Sequence, residues 1–312
     1  MEKAMIFADD VIDFNAYIAM TDHDHRVRPA SSYIDSLNDR LFNPAAPKGA
    51  KLPFKKMADK LRFRKGEVTI WTGFNGHGKS LLLGQAVLGF VAQNERVCVA
   101  SMEMLPEATL ERMVRQGEGA SRPSREFVDA FLADDCAGQR IWLYDQMGMV
   151  NPEKIAAVGW YAADKRGCSH FVVDSLLKCG MGEDDYNGQK RFVDRLCTLA
   201  RDTGIHVHLV CHSRKGKDEL TPPGKMDVRG AASITDQVDN VITVWRNKVK
   251  EDAYDTGKGY NPTDPDALMI VSKQRHGDWE KTCKLWFDTG SQQFIETHES
   301  GPINLLHPGI YA

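Results

Sequence analysis

One stretch constrains the fold more than any other. Val68-Thr-Ile-Trp71 leads into Gly73-Phe-Asn75-Gly76-His77-Gly78-Lys79-Ser80, followed by Leu81 and a largely apolar run to Ala92. A β-rich tetrapeptide, a loop of the form G-x-x-x-x-G-K-[ST] and a helix-forming run stand in the order of a strand–loop–helix phosphate site. Its glycines let backbone N–H groups turn inward around a phosphate chain, with the positive end of the helix behind them. Gly73, Asn75, Gly76, His77, Gly78, Lys79, Ser80 and Leu81 are therefore the candidate nucleotide-binding residues. Lys79 reaches the outer phosphates and the Ser80 hydroxyl holds Mg²⁺. The expected ligands are ATP, or another nucleoside triphosphate, and Mg²⁺. A chance glycine-rich turn is the competing explanation, and the correct strand and helix on either side count against it.

The rest of the chain supplies the sheet that such a loop needs. Short Val- and Ile-rich runs alternate with helix-length stretches. Strands are expected at Val68–Trp71, Val97–Ala100, Arg140–Tyr144, His170–Asp174, His206–Cys211, Asn240–Arg246, Ala267–Lys273 and Lys284–Asp288. Helices are expected at Lys79–Ala92, Pro106–Gln116, Pro152–Lys165, Gln189–Thr203 and Ala231–Val238. That alternation predicts an α/β fold, a mostly parallel central sheet flanked by helices, closed by an antiparallel hairpin. The polar stretch Asn247–Pro265 reads as a mobile surface loop. Residues 1–53 read as an N-terminal arm and linker, residues 54–296 as the ATPase domain and residues 297–312 as a tail. Helical spacing in the arm's DDVIDFNAYIAM gives way to a linker marked by Pro44, Pro47, Gly49 and Pro53. Such an arm is either flexible or packed on a neighbouring subunit.

Two carboxylates complete a hydrolytic site. His170-Phe-Val-Val-Asp174 places an acid at the C-terminal end of a strand, where open α/β sheets bind ligands. Asp174 would orient the Mg²⁺ or its water; a turn or cap residue is the plainer alternative. Glu103 follows the strand at Val97 and can take a proton from an attacking water, although taken alone it reads as a solvated loop glutamate.

Composition sets the boundaries of the functional argument. The 312 residues carry 40 Lys and Arg against 43 Asp and Glu, a formal net charge of −3 that excludes a broadly basic, histone-like binder. A local basic groove stays open. Apolar runs of 18 residues are absent and the N-terminus lacks the features of a secretory signal. The seven cysteines include no C-x-x-C, which argues against a disulfide framework or a structural zinc and for reduced thiols in a cytoplasmic protein.

Together these motifs resemble the RecA-like ATPase domain of ring-shaped replicative DNA helicases: DnaB, the phage primase–helicases and mitochondrial Twinkle. The resemblance spans about Phe54 to Glu296. Ser101-Met-Glu103-Met resembles the family segment whose glutamate activates water, and Val172-Val-Asp174 its metal-side motif. His208-Leu-Val-Cys-His212 resembles the strand ending in a polar sensor, with His212 as in the phage and mitochondrial branch. Arg229-Gly230 resembles the DNA-contacting turn, although Ala232 stands where relatives often have a second glycine. Lys273-Gln-Arg275 resembles the K-x-R segment that enters the neighbouring subunit's nucleotide site; spaced by two, the cations point the same way, as they would in a salt-bridged edge strand. Arg246 would stack under the adenine.

The resemblance implies a homo-oligomer, a hexameric ring that translocates on single-stranded DNA and unwinds duplex, with a primase, polymerase or loader as partner and no membrane association. DNA contacts are expected in loops, at Leu177–Gly188 and at Ser213–Arg229, the second through Arg214, Lys215, Lys217, Lys225 and Arg229. Phosphate contacts of this kind carry no sequence preference. The small size, without a zinc-binding or primase region or a DnaB-type N-terminal domain, suggests a phage or mobile-element replicon. The alternatives are a RecA-like DNA-dependent ATPase that pairs or remodels DNA without unwinding, and an inactive assembly or loading protein.

Overall fold

The computed structural model describes residues 29–43, 49–133, 136–182, 184–213, 219–228 and 232–307. In chain order the elements are α1 (Ile34–Phe42), β1 (Val68–Thr72), α2 (Lys79–Ala92), β2 (Val97–Ser101), α3 (Pro106–Glu118), α4 (Arg125–Phe131), β3 (Ile141–Leu143), α5 (Pro152–Arg166) and β4 (His170–Asp174). They continue with α6 (Tyr186–Thr203), β5 (His206–Val210), α7 (Ala232–Gln237), β6 (Asn240–Arg246), α8 (Lys248–Asp255), β7 (Ala267–Gln274), β8 (Thr282–Asp288) and β9 (Gln293–Ile295).

The strands form one nine-stranded sheet in the order β3-β2-β4-β5-β1-β6-β7-β8-β9. Pairings from β3 through β6 are parallel, and β6 to β9 pair antiparallel. The expected mostly parallel sheet is thus present, and its antiparallel extension beyond β6 has three strands, β7 to β9, rather than a single closing hairpin. Sequential residues feed opposite faces, as a period of two requires. Ile70 enters the core with Phe171 and Leu196, under α5 and α6; Trp71 enters the other, with Phe90, under α2. That first β-strand is buried on both sides, which explains why it reads as a continuous apolar run. Ala50, Leu52 and Leu305 pack into the same core as Trp71, so this packing continues past residues 54 and 296.

Two expected loops contain helix. Within Asn247–Pro265, α8 forms because the Asn247 side chain accepts the Lys250 N–H at 3.2 Å. Lys250 Nζ then ties the following segment down, donating to the Asp264 carbonyl and pairing with Asp266 at 2.7 Å. The Leu177–Gly188 loop ends early: Asp185 accepts the Gly188 N–H at 2.8 Å and starts α6 three residues before the expected Gln189. A Cβ on Gly188 would meet the Asp185 carboxyl at 2.1 Å, so the cap depends on that glycine. In the arm, α1 exposes Ile34, Leu37, Leu41 and Phe42; DDVIDFNAYIAM, Pro44 and Pro47 lie outside the described residues. None of the seven cysteines is in a disulfide. Among the described residues no helix is long and apolar enough to cross a membrane.

The core beside Phe90 contains three buried histidines whose hydrogen bonds fix their tautomers. Trp71 Nε1 donates to His208 Nδ1 at 3.2 Å, leaving His208 Nε2–H to donate to His170 Nδ1 at 3.1 Å. His206 Nδ1–H donates to the Arg64 carbonyl at 2.6 Å, so its Nε2 accepts from Thr69 at 2.8 Å. All three are held neutral, their pKa values pushed down by burial, His206 to about 4.

Candidate nucleotide-hydrolysis site

The expected phosphate loop sits at the C-terminal rim of the sheet, between β1 and α2. Backbone geometry explains two of its glycines. Gly73 has φ +148°, and a Cβ there would lie 2.1 Å from the Val244 carbonyl oxygen. Gly78 has φ +86°, a left-handed conformation that caps α2, and a Cβ would press on the Phe294 ring at 3.0 Å.

Lys79 is buried, and its Nζ donates to the Gly73 and Phe74 carbonyls at 3.1 and 2.9 Å. His212 Nδ1 lies 3.4 Å from the same Nζ, placing the residue after Cys211 at the phosphate end of the site. Burial lowers the Lys79 pKa, and the Asp174 and Glu103 carboxylates oppose that shift. Asp174 is raised, first by burial; the hydrogen bond from Ser80 is the largest opposing effect. The Ser80 hydroxyl and the Asp174 carboxylate therefore converge, a hard-oxygen pair that fits a largely hydrated Mg²⁺ shared with phosphates. Glu103, exposed beside them, accepts a hydrogen bond from Ser175 at 2.9 Å. The Asp174–Ser175 peptide is cis.

Arg246 ends β6 close to the loop. Its backbone N–H donates to His77 Nδ1 at 3.0 Å, and its side chain pairs with Glu251 at 2.5 Å. A cavity of 530 Å³ opens here, lined among others by Gly78, Arg246, Tyr254, Tyr260 and Trp286. Its size and aromatic lining suit a nucleobase and ribose. The α8 wall of this cavity was not foreseen.

His77 has a second partner: its Nε2 lies 3.3 Å from Glu219 Oε2, and the Glu219 carbonyl accepts from Trp245 Nε1 at 3.0 Å. The loop after β5 is tied to the phosphate loop at its start as well, where Ser213 N–H donates to the Gly73 carbonyl at 3.0 Å. Arg214, Lys215, Lys217, Arg229 and Gly230 lie outside the described residues. Lys225 is described, exposed on a short 3₁₀ turn.

Lys273 and Arg275 are not part of this cluster. Gln274 pairs with Asn240 at the start of β6, so both cations lie at the N-terminal rim, opposite the phosphate loop. Lys273 Nζ donates to the carbonyls of Thr235 and Asp236 at 2.8 and 3.0 Å. Arg275 pairs with Asp239 at 3.0 Å and donates to the carbonyls of Asp236, Gln237 and Val238. The expected common orientation is observed, and β7 is internal to the sheet rather than an edge.

A phosphate loop on a parallel sheet, with a serine and a strand-end aspartate below it and a glutamate beside it, defines a P-loop NTPase domain. The chain belongs to the AAA domain family, whose model matches residues 48–218. Two solved structures share the fold. The ATPase domain of a phage helicase matches with a TM-score of 0.68 and 15% identity, over 86% of this chain and 99% of that one. A DnaB-like replicative helicase, described with its interactions with primase, matches with a TM-score of 0.69 and 14% identity, over 86% of this chain and 68% of that one. The resemblance to DnaB-like helicases read from the motifs is borne out in the fold.

Proposed function

We propose that this chain is the motor of an ATP-driven replicative DNA helicase, a ring that moves on single-stranded DNA and separates duplex. One observation carries the proposal: a hydrolytic cluster occupies one rim of the sheet, and a matched pair of cations occupies the other. In the proposed reaction, Lys79 binds the outer phosphates, Glu103 takes the proton of the attacking water, and His212 contacts the γ-phosphate. Arg246 borders the base. Ser80 and Asp174 would hold Mg²⁺, which would supply charge neutralisation on the phosphates. Lys273 and Arg275 stabilise charge on a neighbour's transferring phosphoryl group. The basic segment around Arg214, Lys215, Lys217, Lys225, Arg229 and Gly230 follows DNA phosphates. A hexameric homo-oligomer, a primase, polymerase or loader partner, a phage-type replicon and a cytoplasmic setting complete the reading, with the arm either flexible or packed on a neighbour.

Substitution at the cluster tests it. Lys79→Ala is expected to remove nucleotide binding. Glu103→Gln is expected to keep binding, because the amide oxygen still accepts from Ser175, and to lower turnover about 10²–10⁴-fold. Turnover by Glu103→Gln at the parent rate would exclude Glu103 as the base. A second reading, an ATPase that remodels DNA without unwinding it, is favoured by the own-chain partners of Lys273 and Arg275, which a structural role also produces. Release of a labelled strand from a forked duplex separates the two.

A further inference from the structure

The K-x-R cations are held in a cradle whose central member is Asp239. This buried residue uses every polar atom. Its N–H donates to the Val68 carbonyl at 2.9 Å, and its Oδ2 accepts the Val68 N–H at 2.9 Å. Its own carbonyl accepts the Arg275 N–H at 2.9 Å, and its Oδ1 pairs with Arg275 Nη1 at 3.0 Å. The carboxylate is therefore pinned to the start of β1 on one side and grips the guanidinium on the other. The second Arg275 nitrogen and Lys273 Nζ are occupied by consecutive carbonyls from Thr235 to Val238, at the negative end of α7. The Arg275 side chain nevertheless remains 44% exposed. It is oriented without being buried, as a group that acts outside its own chain must be.

We propose that Asp239 is a positioning residue for Arg275, fixing the guanidinium so that it meets the neighbour's nucleotide without a search through rotamers. This rests on the reading that Arg275 acts in trans. A long side chain loses substantial rotamer freedom when it docks. A carboxylate anchored to the central strand removes that cost in advance, since ordering is complete before the phosphates arrive. The end of α7 contributes backbone carbonyls, so among the described residues Asp239 is the side chain through which the cradle can be altered.

The test uses mixed oligomers of the full chain, after subunit exchange has been verified. Arg275→Ala supplies intact phosphate loops and Lys79→Ala supplies intact Arg275; mixing them is expected to restore hydrolysis. Asp239→Asn is then added to one chain at a time. In the Lys79→Ala chain it is expected to lower the restored rate about tenfold. In the Arg275→Ala chain it is expected to change nothing. Equal losses from either chain mean a fold defect, and no loss from either means an idle contact; both overturn the assignment. If the parent pair restores nothing, the trans reading itself fails and takes this inference with it. Thermal melting checks that Asp239→Asn folds; if it does not, Asp239→Glu replaces it, with the same asymmetry required.

Discussion

Arg275→Ala is expected to bind nucleotide normally and to hydrolyse it about 10³–10⁵-fold more slowly, with or without DNA. The size follows from the chemistry of phosphoryl transfer, in which a cation supplied to the transition state accounts for a factor of that order. The direction follows from placement. Arg275 and Lys79 lie at opposite rims of the sheet, so removing the guanidinium leaves every observed phosphate-loop contact in place. Nucleotide titration followed by fluorescence, alongside steady-state hydrolysis, checks both halves. A normal rate would reduce Arg275 to a clamp on the end of α7. A loss of binding as large as the loss of rate would indicate a collapsed fold, which the melting curve would reveal independently.

Stability is expected to fall steeply as pH drops from about 6.5 toward 4. His170, His206 and His208 are neutral in the folded chain because burial depresses their pKa values. In the unfolded chain each titrates near 6.5. Below that pH the unfolded state binds more protons, so stability is fully present above 6.5 and is lost on acidification, until each folded pKa is passed. Each histidine contributes up to about 1.4 kcal/mol per pH unit, and together the three contribute roughly 4. Glu67 and Asp174, raised by burial, act in the opposite sense and offset part of this. A typical domain holds about 5–15 kcal/mol in total, so loss of the fold is expected within this window. Urea unfolding between pH 8 and 4.5 measures the slope. A flat profile from 7 to 5 would show that these rings are not buried neutral.

What could be read from the sequence follows the range of the interactions involved. The phosphate loop was legible because its pattern is local: Gly78 must turn left-handed at the start of α2, and Gly73 and Gly78 sit at fixed offsets from Lys79, although the Val244 carbonyl that Gly73 clears is distant in sequence. Asp174 was legible from the apolar run before it. Glu103 was not separable from a solvated glutamate by local features, since its partner Ser175 lies 72 positions away. The α8 helix was hidden by its polarity: none of its residues is buried, and only its ends, Asn247 and the left-handed Gly257 after Thr256, carried signals. Strand β9, at three residues, is too short to show a period. The roles of His77, Glu219 and Asp239 come from contacts spanning many residues, which no spacing rule encodes.

If Arg275 serves a neighbour's nucleotide as proposed, the opposed rims constrain how copies of this chain can join. A subunit whose donor patch and acceptor patch are different surfaces cannot pair face to face and satisfy both; each contact leaves one patch of each kind unused. Association is then heterologous, and the small rotation between successive copies alone decides whether the series closes or continues as a spiral. In a spiral, the two end subunits carry unmatched rims: one has a phosphate loop with no incoming arginine, and the other has an arginine with nothing to serve. A closed ring has no such ends. On that proposal the count of competent sites would measure closure, one fewer than the number of subunits when open and equal to it when shut.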